Sequence, residues 1–278
     1  MENTFALRCK KLRKEGLTLG EIVKATGRPK SSVYFHVRSV SVSPFLREKL
    51  KTIQSQKIRG HGPKLGVSRL HRSLNRFQGW QAWSVRLVSH ILFDGSVTRK
   101  GVAYQNRSSA LVEKFCRDMS RVCNFTPRRY FSKEGVYRAA FHNVEMERFW
   151  QERERQLIAD MPCLKPDFQK EFLKAFFNDE GSVYFNSSSR VRRVTGVQYD
   201  HRILHLVKTL LGNFGISSDI DMHTHAVVIS GQSNLLRFRK HIGFARGLTV
   251  NGTRANSRWK KSLEKRHILN RAIAFYKS

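Results

Sequence analysis

The chain has 278 residues, of which 52 are Lys or Arg and 21 are Asp or Glu, giving a formal net charge of +31. At 40% hydrophobic and 11% aromatic residues it can bury a core, which excludes wholesale disorder. No apolar stretch approaches the roughly 20 residues of a membrane-spanning helix, so we expect no membrane partner. So dense a positive charge on a folded chain requires a polyanion, and we predict that the polyanion is nucleic acid.

The cysteines provide no framework for a metal or a disulfide. They form no C-x-x-C pair, and no histidine cluster completes a zinc site; they are Cys9, Cys116, Cys123 and Cys163. Scattered thiols are typical of a reducing compartment. We therefore expect an intracellular protein, in the cytoplasm or nucleoid, with an organelle left open.

Residues 4–38 have the pattern of three short helices. Thr18 begins the second helix, Glu21 follows at the spacing of a capping box, and Gly27 ends it. The third helix follows the turn at Pro29. We expect these two helices to pack through three apolar side chains: Ile22, Ala25 and Val33.

The segment LTLGEIVKATGRPKSSVYFHV resembles a helix-turn-helix of the resolvase and sigma-factor type. The resemblance implies a DNA-binding domain over residues 1–43 whose last helix enters a major groove. The side chains expected at its exposed face are Lys30, Ser31, Ser32, Tyr34 and His36. A small three-helix packing unit without that role is the alternative.

Residues 44–78 are predicted to be a basic linker. A charged helix is expected near 45–54, and the glycine-rich segment QKIRGHGPKLG follows it. Arg59 and Lys64 in this segment are candidates for phosphate contacts along a minor groove. A plain flexible tether is an equal alternative.

From residue 79 onward the chain contains an internal repeat. The pattern LVSHILFDGSV at 87–97 has the layout of LKAFFNDEGSV at 173–183, a short apolar helix that ends in an acid and a glycine. Each copy precedes strands and helices in the same order. The further elements predicted for the first copy are Val102–Asn106, Ser109–Val122, Arg128–Ser132, Tyr137–His142 and Glu145–Ile158. Those of the second copy are Val191–Tyr199, Arg202–Phe214, Ser217–Met222, Ala226–Ser230 and Leu235–Ile242, before a last helix at Arg254–Tyr276.

These two motifs resemble the paired motifs of LAGLIDADG homing endonucleases in their single-chain form, the second closely and the first more loosely. The resemblance covers about residues 79–278. It implies an α+β fold: two pseudo-symmetric αββαββα repeats, 79–162 and 163–278, that form saddle-shaped antiparallel sheets behind a small all-α helix-turn-helix domain.

The motif helices are expected to pack side by side through the small residues Ser89 and Ala175. Each then brings one carboxylate, Asp94 or Glu180, to the bottom of the shared seam. Two carboxylates at two helix C-termini repel each other and a DNA phosphate, so the arrangement needs divalent cations. The resemblance implies Mg²⁺, with Mn²⁺ able to substitute, and cleavage of both DNA strands to leave short 3′ overhangs.

The motifs depart from the family pattern just before each acid, where Phe93 and Asp179 replace small residues, and at His90. Asp179 is an alternative ligand, but we predict Glu180. The resemblance places three further catalytic candidates near the acids: Gln105, Gln198 and Arg246. The two glutamines are expected at equivalent points, at the end of the second strand of each repeat. The strand alignment is uncertain by one residue, so Tyr104 and Tyr199 stay open.

The strands are expected to supply the DNA-reading surface, because alternation places Ser182, Tyr184 and Asn186 on one face. Arginine reads guanine in a major groove, while most remaining cations contact phosphate. The predicted DNA-binding residues of the two repeats are Arg99, Lys100, Arg128, Arg129, Arg138, Tyr184, Asn186, Arg190, Arg192 and Arg193.

The sequence thus predicts a site-specific DNA endonuclease of the intron-homing kind that cuts a long duplex. Being pseudo-dimeric, it is expected to be a monomer without an obligate protein partner. A transcription regulator that keeps the fold and has lost the chemistry is the first alternative. An intron RNA maturase, with RNA as its partner, is the second.

Overall fold

The computed structural model describes residues 4–60, 78–123, 127–143, 146–186, 188, 190–250, 259 and 261–276. The chain divides into two compact units, Met1–Val67 and Ser68–Ser278, and each is described by itself. The division falls inside the predicted linker (44–78).

The first unit contains the three predicted helices and a fourth. They are α1 (Thr4–Lys14), α2 (Leu19–Thr26), α3 (Lys30–Val37) and α4 (Pro44–Gly60). The predicted capping box is present: the Thr18 hydroxyl accepts from the Glu21 backbone N–H, and the Glu21 carboxylate accepts from the Thr18 N–H. Gly27 ends α2 in the left-handed conformation at φ 65°.

The core of this unit differs in part from the prediction. Ile22 and Val33 are fully buried as expected, but Ala25 is exposed. Cys9 and Val37 fill the remaining core positions, because α1 packs across α3.

Helix α4 occupies residues that were predicted to be mostly linker. Leu46 is fully buried, and the Lys49 ammonium lies 2.9 Å from the Glu21 carboxylate of α2. Side-chain contacts of this kind tie the start of α4 to the three-helix unit.

The second unit is α+β, as predicted. Its first half comprises α5 (Ala82–Asp94), β1 (Gly95–Thr98), β2 (Gly101–Asn106), α6 (Ser109–Met119), β3 (Arg128–Phe131), β4 (Tyr137–His142) and α7 (Met146–Asp160). Its second half comprises α8 (Pro166–Asp179), β5 (Gly181–Asn186), β6 (Val191–Val197), α9 (His201–Asn213), β7 (Asp219–Asp221), β8 (Ala226–Ser230), α10 (Gln232–His241) and α11 (Lys265–Ala274). A short 3₁₀ turn, Met161–Cys163, joins the halves.

The strands form two antiparallel four-stranded sheets of identical topology within the described residues. Their orders are β1-β2-β4-β3 and β5-β6-β8-β7. Gly95 pairs with Tyr104 in the first sheet, and Gly181 pairs with Gly196 in the second. The two halves can therefore be aligned residue by residue. In each half, the glycine after the motif acid pairs with a residue of the next strand.

The helices α5 and α8 pack side by side at the centre of one continuous core. Ser89 and Ala175 are buried on these helices, as the motif predicts. At the far end of the pair, Arg86 of α5 binds Glu171 of α8 at 2.7 Å and Asp118 of α6 at 2.8 Å. The helix pair is thus closely packed in its middle and is held by side-chain ion pairs near its start.

The glycine after each acid is required by close packing. A Cβ on Gly95 would lie 2.2 Å from the Ile91 carbonyl oxygen, and one on Gly181 would lie 2.1 Å from that of Phe177. Real Cβ atoms do not approach backbone this closely, so each motif helix can turn directly into its strand only at glycine.

The last helix is shorter than predicted. Among described residues it begins at Lys265, because the preceding segment runs extended against 248–250. The Val250 N–H donates to the Leu263 carbonyl at 2.8 Å, and the Lys265 N–H donates to that of Leu248 at 2.8 Å. Part of the predicted range lies outside the described residues.

In the part of the chain that the structure describes, no helix has the length and apolar character needed to cross a membrane.

Candidate active site

Two of the predicted carboxylates lie at the same end of the helix seam. Asp94 is the last residue of α5, and Glu180 directly follows the last residue of α8. A cavity of about 440 Å³ opens at this end, and Asp94, Asp179 and Lys265 contribute to its wall. The two halves of the chain therefore bring acidic groups to one place, as the paired motifs predict.

The carboxylates are held in an environment that opposes ionisation. Burial, followed by the charges of Asp179 and Glu180, raises the pKa of Asp94 to about 7. Burial and the charge of Asp179 likewise raise the pKa of Glu180 to about 7. An added cation near these groups would be stabilised by the same crowding.

One cation from the chain already faces the acids. Lys265, the first residue of α11, donates from Nζ to the Gly181 carbonyl at 2.6 Å. Its charge opposes the pKa rise of both Asp94 and Glu180. Burial lowers the pKa of Lys265 itself to about 8, although the three carboxylates act in the opposite direction.

Asp179 also lines the cavity, but its carboxylate has hydrogen-bond partners across the seam. Its side chain is fully buried. Its Oδ2 lies 2.6 Å from His90 Nδ1, and its Oδ1 accepts from the Tyr104 hydroxyl at 2.7 Å and from Asn106 Nδ2 at 3.2 Å. The alternative ligand considered from the sequence therefore has partners at both carboxylate oxygens, and Glu180 as the ligand stays a prediction.

The three residues that correspond to Asp179, His90 and Tyr104 in the other half of the unit are apolar. Phe93 corresponds to Asp179, Phe176 to His90 and Gly196 to Tyr104. The rings of Phe93 and Phe176 lie 5.2 Å apart, and a Cβ on Gly196 would lie 2.3 Å from the Phe176 ring. A polar triad on one side is therefore replaced by an apolar triad on the other, and all three departures from the family motif belong to this exchange.

The register of the sheets corrects the pairing of the two glutamines. Gln105 corresponds to Val197, whereas Gln198 corresponds to Asn106. The backbone confirms this: the Ser108 N–H donates to Asn106 Oδ1 at 3.0 Å, and the Asp200 N–H donates to Gln198 Oε1 at 3.3 Å. Gln105 is exposed and lines the carboxylate cavity, while Gln198 supports the start of α9.

The third catalytic candidate, Arg246, lies in a different place. It is exposed and lines a second cavity beside α6 instead of the carboxylate cavity. Lys265 faces the acids instead. The alignment of Tyr104 and Tyr199 is settled similarly: Tyr104 is buried in the polar triad, and Tyr199 is 78% exposed.

The open face of the first sheet carries several of the predicted DNA-binding residues. Gln105, Arg138 and Tyr130 are neighbours across three strands and are exposed. The Arg128 guanidinium lies 5.1 Å from the centre of the Tyr130 ring. Arg129 lies on the other face, where it pairs with buried Ala139.

The open face of the second sheet is built similarly. Tyr184 pairs with Arg193, whose guanidinium lies 5.6 Å from the tyrosine ring. Arg192 lies on the opposite face, with its guanidinium 3.6 Å from the Tyr276 ring. It also donates to the Phe275 carbonyl at 3.2 Å. Neighbouring side chains of a strand always point to opposite faces. The sequence alone did not show which of Arg192 and Arg193 lies on the open face, because that depends on how the strand pairs in the sheet.

The remaining predicted residues lie at turns and on α3. Arg99 and Lys100 are exposed in the β1–β2 turn, Arg190 is exposed in the β5–β6 turn at φ 51°, and Asn186 is half-buried at the end of β5. On α3, four predicted side chains are exposed and one is half-buried: Lys30, Ser31, Ser32 and Tyr34, then His36. The Arg59 side chain and Lys64 lie outside the described residues.

The donor set fits a hard divalent cation held partly by substrate. Among the described residues, no group of three or more His, Cys, Asp or Glu side chains forms a metal site. Mg²⁺ usually takes one or two protein carboxylates and completes its shell with water and substrate phosphate. Asp94 and Glu180 meet that requirement, while Asp179 has its oxygens occupied.

Sequence reasoning missed Lys265 and Asn106. Asn106 donates to both Asp94, at 3.3 Å, and Asp179, at 3.2 Å. Its position at the end of the second strand was a usable signal once the register was correct. Lys265 follows a segment without clear periodicity, so no pattern connected it to the acids.

The raised carboxyl pKa values predict a pH-dependent stability in metal-free buffer. Between the ordinary pKa of Asp94, 3.8, and its folded value of about 7, the unfolded chain ionises first. The unfolding free energy contributed by this group, and by Glu180 in the same way, therefore falls as pH rises through that window.

In urea titrations with chelator, the difference in unfolding free energy between Asp94→Asn or Glu180→Gln and the unsubstituted chain should increase from pH 4 to 7. Asp219→Asn, an exposed control, should show no such trend. A flat difference for both site variants would contradict the assignment.

Residues 167–243 match the sequence profile of the LAGLIDADG-like domain family. No curated protein matches the chain.

Solved structures with a similar fold include mesophilic variants of the homing endonuclease I-DmoI, at 16% identity over 60% of this chain and 91% of that one, with a TM-score of 0.43. They also include I-DmoI in complex with DNA and Mn, at 16% identity over 58% and 96%, with a TM-score of 0.43. A third is full-length DUF199/WhiA from Thermatoga maritima, at 14% identity over 74% and 65%, with a TM-score of 0.45.

The part of the chain that matches the LAGLIDADG-like domain family is thus residues 167–243, and the first half of the unit repeats its strand order and its motif helix.

Proposed function

We propose that the chain is a site-specific DNA endonuclease that hydrolyses phosphodiester bonds in both strands with the help of a divalent metal, Mg²⁺ or Mn²⁺. The observation that carries this proposal is that Asp94 and Glu180 end two packed helices at the same place, close enough for the charge of Glu180 to raise the pKa of Asp94. Asp94 lines a cavity there. Because one chain supplies both halves of the site, it acts as a monomer.

Asp94 and Glu180 hold the metal in this proposal. When bound, such an ion polarises the scissile phosphate and favours ionisation of an attacking water. Lys265 reduces the negative charge that the DNA phosphate meets on approach. Gln105, exposed at the edge of the cavity, is placed to orient water or the DNA backbone.

The duplex binds along the open faces of the two sheets. Each face presents an exposed tyrosine with an arginine stacked on it, Tyr130 with Arg128 and Tyr184 with Arg193. Stacking restrains the guanidinium, so less side-chain freedom is lost when it contacts a base or a phosphate. Arg138 extends the cationic surface of the first sheet.

The helix-turn-helix unit lengthens the target in this proposal. Its support is the capped α2, the short turn at Gly27 and the exposed polar side chains at the start of α3. Helices arranged in this order place the second in a major groove, with its N-terminal residues at base edges.

Asp94→Asn and Glu180→Gln are each expected to abolish cutting and to preserve DNA binding. Each removes a carboxylate charge while keeping side-chain size. The measurement is incubation of a randomised duplex library with Mg²⁺, scored for cut ends, together with binding of the selected target.

Asp219→Asn, an exposed change far from the seam motifs in sequence, is the matched control and should cut normally. Lys265→Met should slow cutting by about 10-fold or more, because a preorganised charge at the site is lost. Unchanged cutting by either carboxylate variant would overturn the proposal.

A non-cleaving DNA-binding regulator is the second candidate. It is favoured by one observation: Lys265 already lines the carboxylate cavity, and its charge acts on both Asp94 and Glu180. On this alternative the library shows selective binding and no cut ends with Mg²⁺ or Mn²⁺.

Lys30→Gln tests the helix-turn-helix unit. If Lys30 meets a phosphate, the slope of log affinity against log salt should decrease in magnitude by about 1. Lys208→Gln, an exposed change on α9, should leave the slope unchanged. Equal slopes for all three proteins would remove α3 from the interface.

A further inference from the structure

A second cavity, of about 370 Å³, lies beside the seam and is lined by five cationic side chains and one carboxylate. We call it the basic cavity. The cations come from α5, α6, α8 and the segment after α10; they are Arg86, Lys114, Arg117, Lys174 and Arg246. The carboxylate is Glu171.

The carboxylate is fully committed to two of these cations. Glu171 binds Arg86 at 2.7 Å and Lys174 at 3.0 Å. Arg86 is also bound by Asp118, at 2.8 Å. Lys114, Arg117 and Arg246 form no ion pair with any other residue that the structure describes.

Lys114 has the least favourable position of the three. It is half-buried on α6. Burial and then the charge of Arg86 lower its pKa below the usual value. The charges of Glu171 and Asp118 act in the opposite direction, but both carboxylates are bound by Arg86, so a bound anion would further favour the charged form of Lys114.

Apolar side chains also line the cavity. Leu111, Ile242 and Phe244 lie among its lining residues. Its volume falls within the roughly 300–1,000 Å³ of small-molecule sites, and a few convergent polar groups among apolar walls are typical of such sites. A multiply charged, compact anion matches both the charge and the size.

We propose that the basic cavity binds a phosphate or oligophosphate group, with Lys114, Arg117 and Arg246 as its charge partners. Arg246 thus acts here and not at the carboxylates. The phosphate belongs either to a free phosphorylated small molecule or to the DNA backbone, and the second source depends on the proposed function.

Tripolyphosphate is the probe for the free source. It is titrated by calorimetry into the full chain at 0.15 M salt, where screening over about 8 Å weakens contacts with scattered surface cations. We expect one saturable site, about 10-fold weaker in Lys114→Gln. Lys114→Arg should retain binding. Lys208→Gln is the surface control and should bind like the unsubstituted chain.

The DNA arm measures the salt dependence of target binding with the same variants. A decrease of about 1 in slope for Lys114→Gln, absent in Lys208→Gln, assigns the phosphate to DNA. Loss of tripolyphosphate binding with an unchanged slope assigns it to a free ligand. If Lys114→Gln and Lys208→Gln behave alike in both measurements while circular dichroism shows both folded, the proposal is overturned. Cutting by these variants is scored separately, so failure here leaves the endonuclease proposal intact.

Discussion

The structure depends on how two adjacent helices share one buried carboxylate. Asp179 ends α8, yet its partners are His90 and Tyr104 of the other half, with Asn106 alongside. A buried carboxylate without partners would cost several kcal/mol, so these hydrogen bonds fix both the spacing and the axial register of α5 against α8. The positions of Asp94 and Glu180, at the ends of these helices, therefore depend on the same register.

The same cluster explains why the halves differ in sequence although they share a fold. A perfect twofold would place either two buried Asp-His pairs or two phenylalanine clusters at the seam. The chain has one of each, with Phe93, Phe176 and Gly196 opposite Asp179, His90 and Tyr104. The apolar side fills volume, and the polar side sets position. In the proposed function, Asp94 and Glu180 are the acids that hold an incoming ion, and the charge of Lys265 acts on both.

The sequence predicted the features of the fold that depend on short-range patterns. The repeated motif, the strand and helix order and the Thr18–Glu21 capping box all follow from periodicity and local hydrogen bonding. The motif also predicted where Asp94 and Glu180 lie, at the ends of the two packed helices, while their roles stay predictions. Gln198 was paired with the wrong partner because a one-residue shift in strand register changes which face a side chain occupies.

The remaining features depend on contacts between distant segments. From the sequence, Asp179 was an alternative metal ligand, but in the structure it pairs with His90. Arg246 was the predicted cation of the site, but Lys265 lies there, bound to the Gly181 carbonyl. Ala25 looks like a core residue on α2, but Cys9 and Val37 fill that volume through α1 and α3. Tertiary packing decided each of these positions, and no local signal anticipated it.

The most direct test of this account is a double-mutant cycle across the seam. Urea unfolding is measured for His90→Ala, Asp179→Ala and the double variant, with His90→Ala and Asp219→Ala as the control cycle. A coupling of about 1–3 kcal/mol between His90 and Asp179, with additivity in the control, is the predicted result. Additivity within about 0.5 kcal/mol for His90 and Asp179 would contradict the claim that this pair sets the seam.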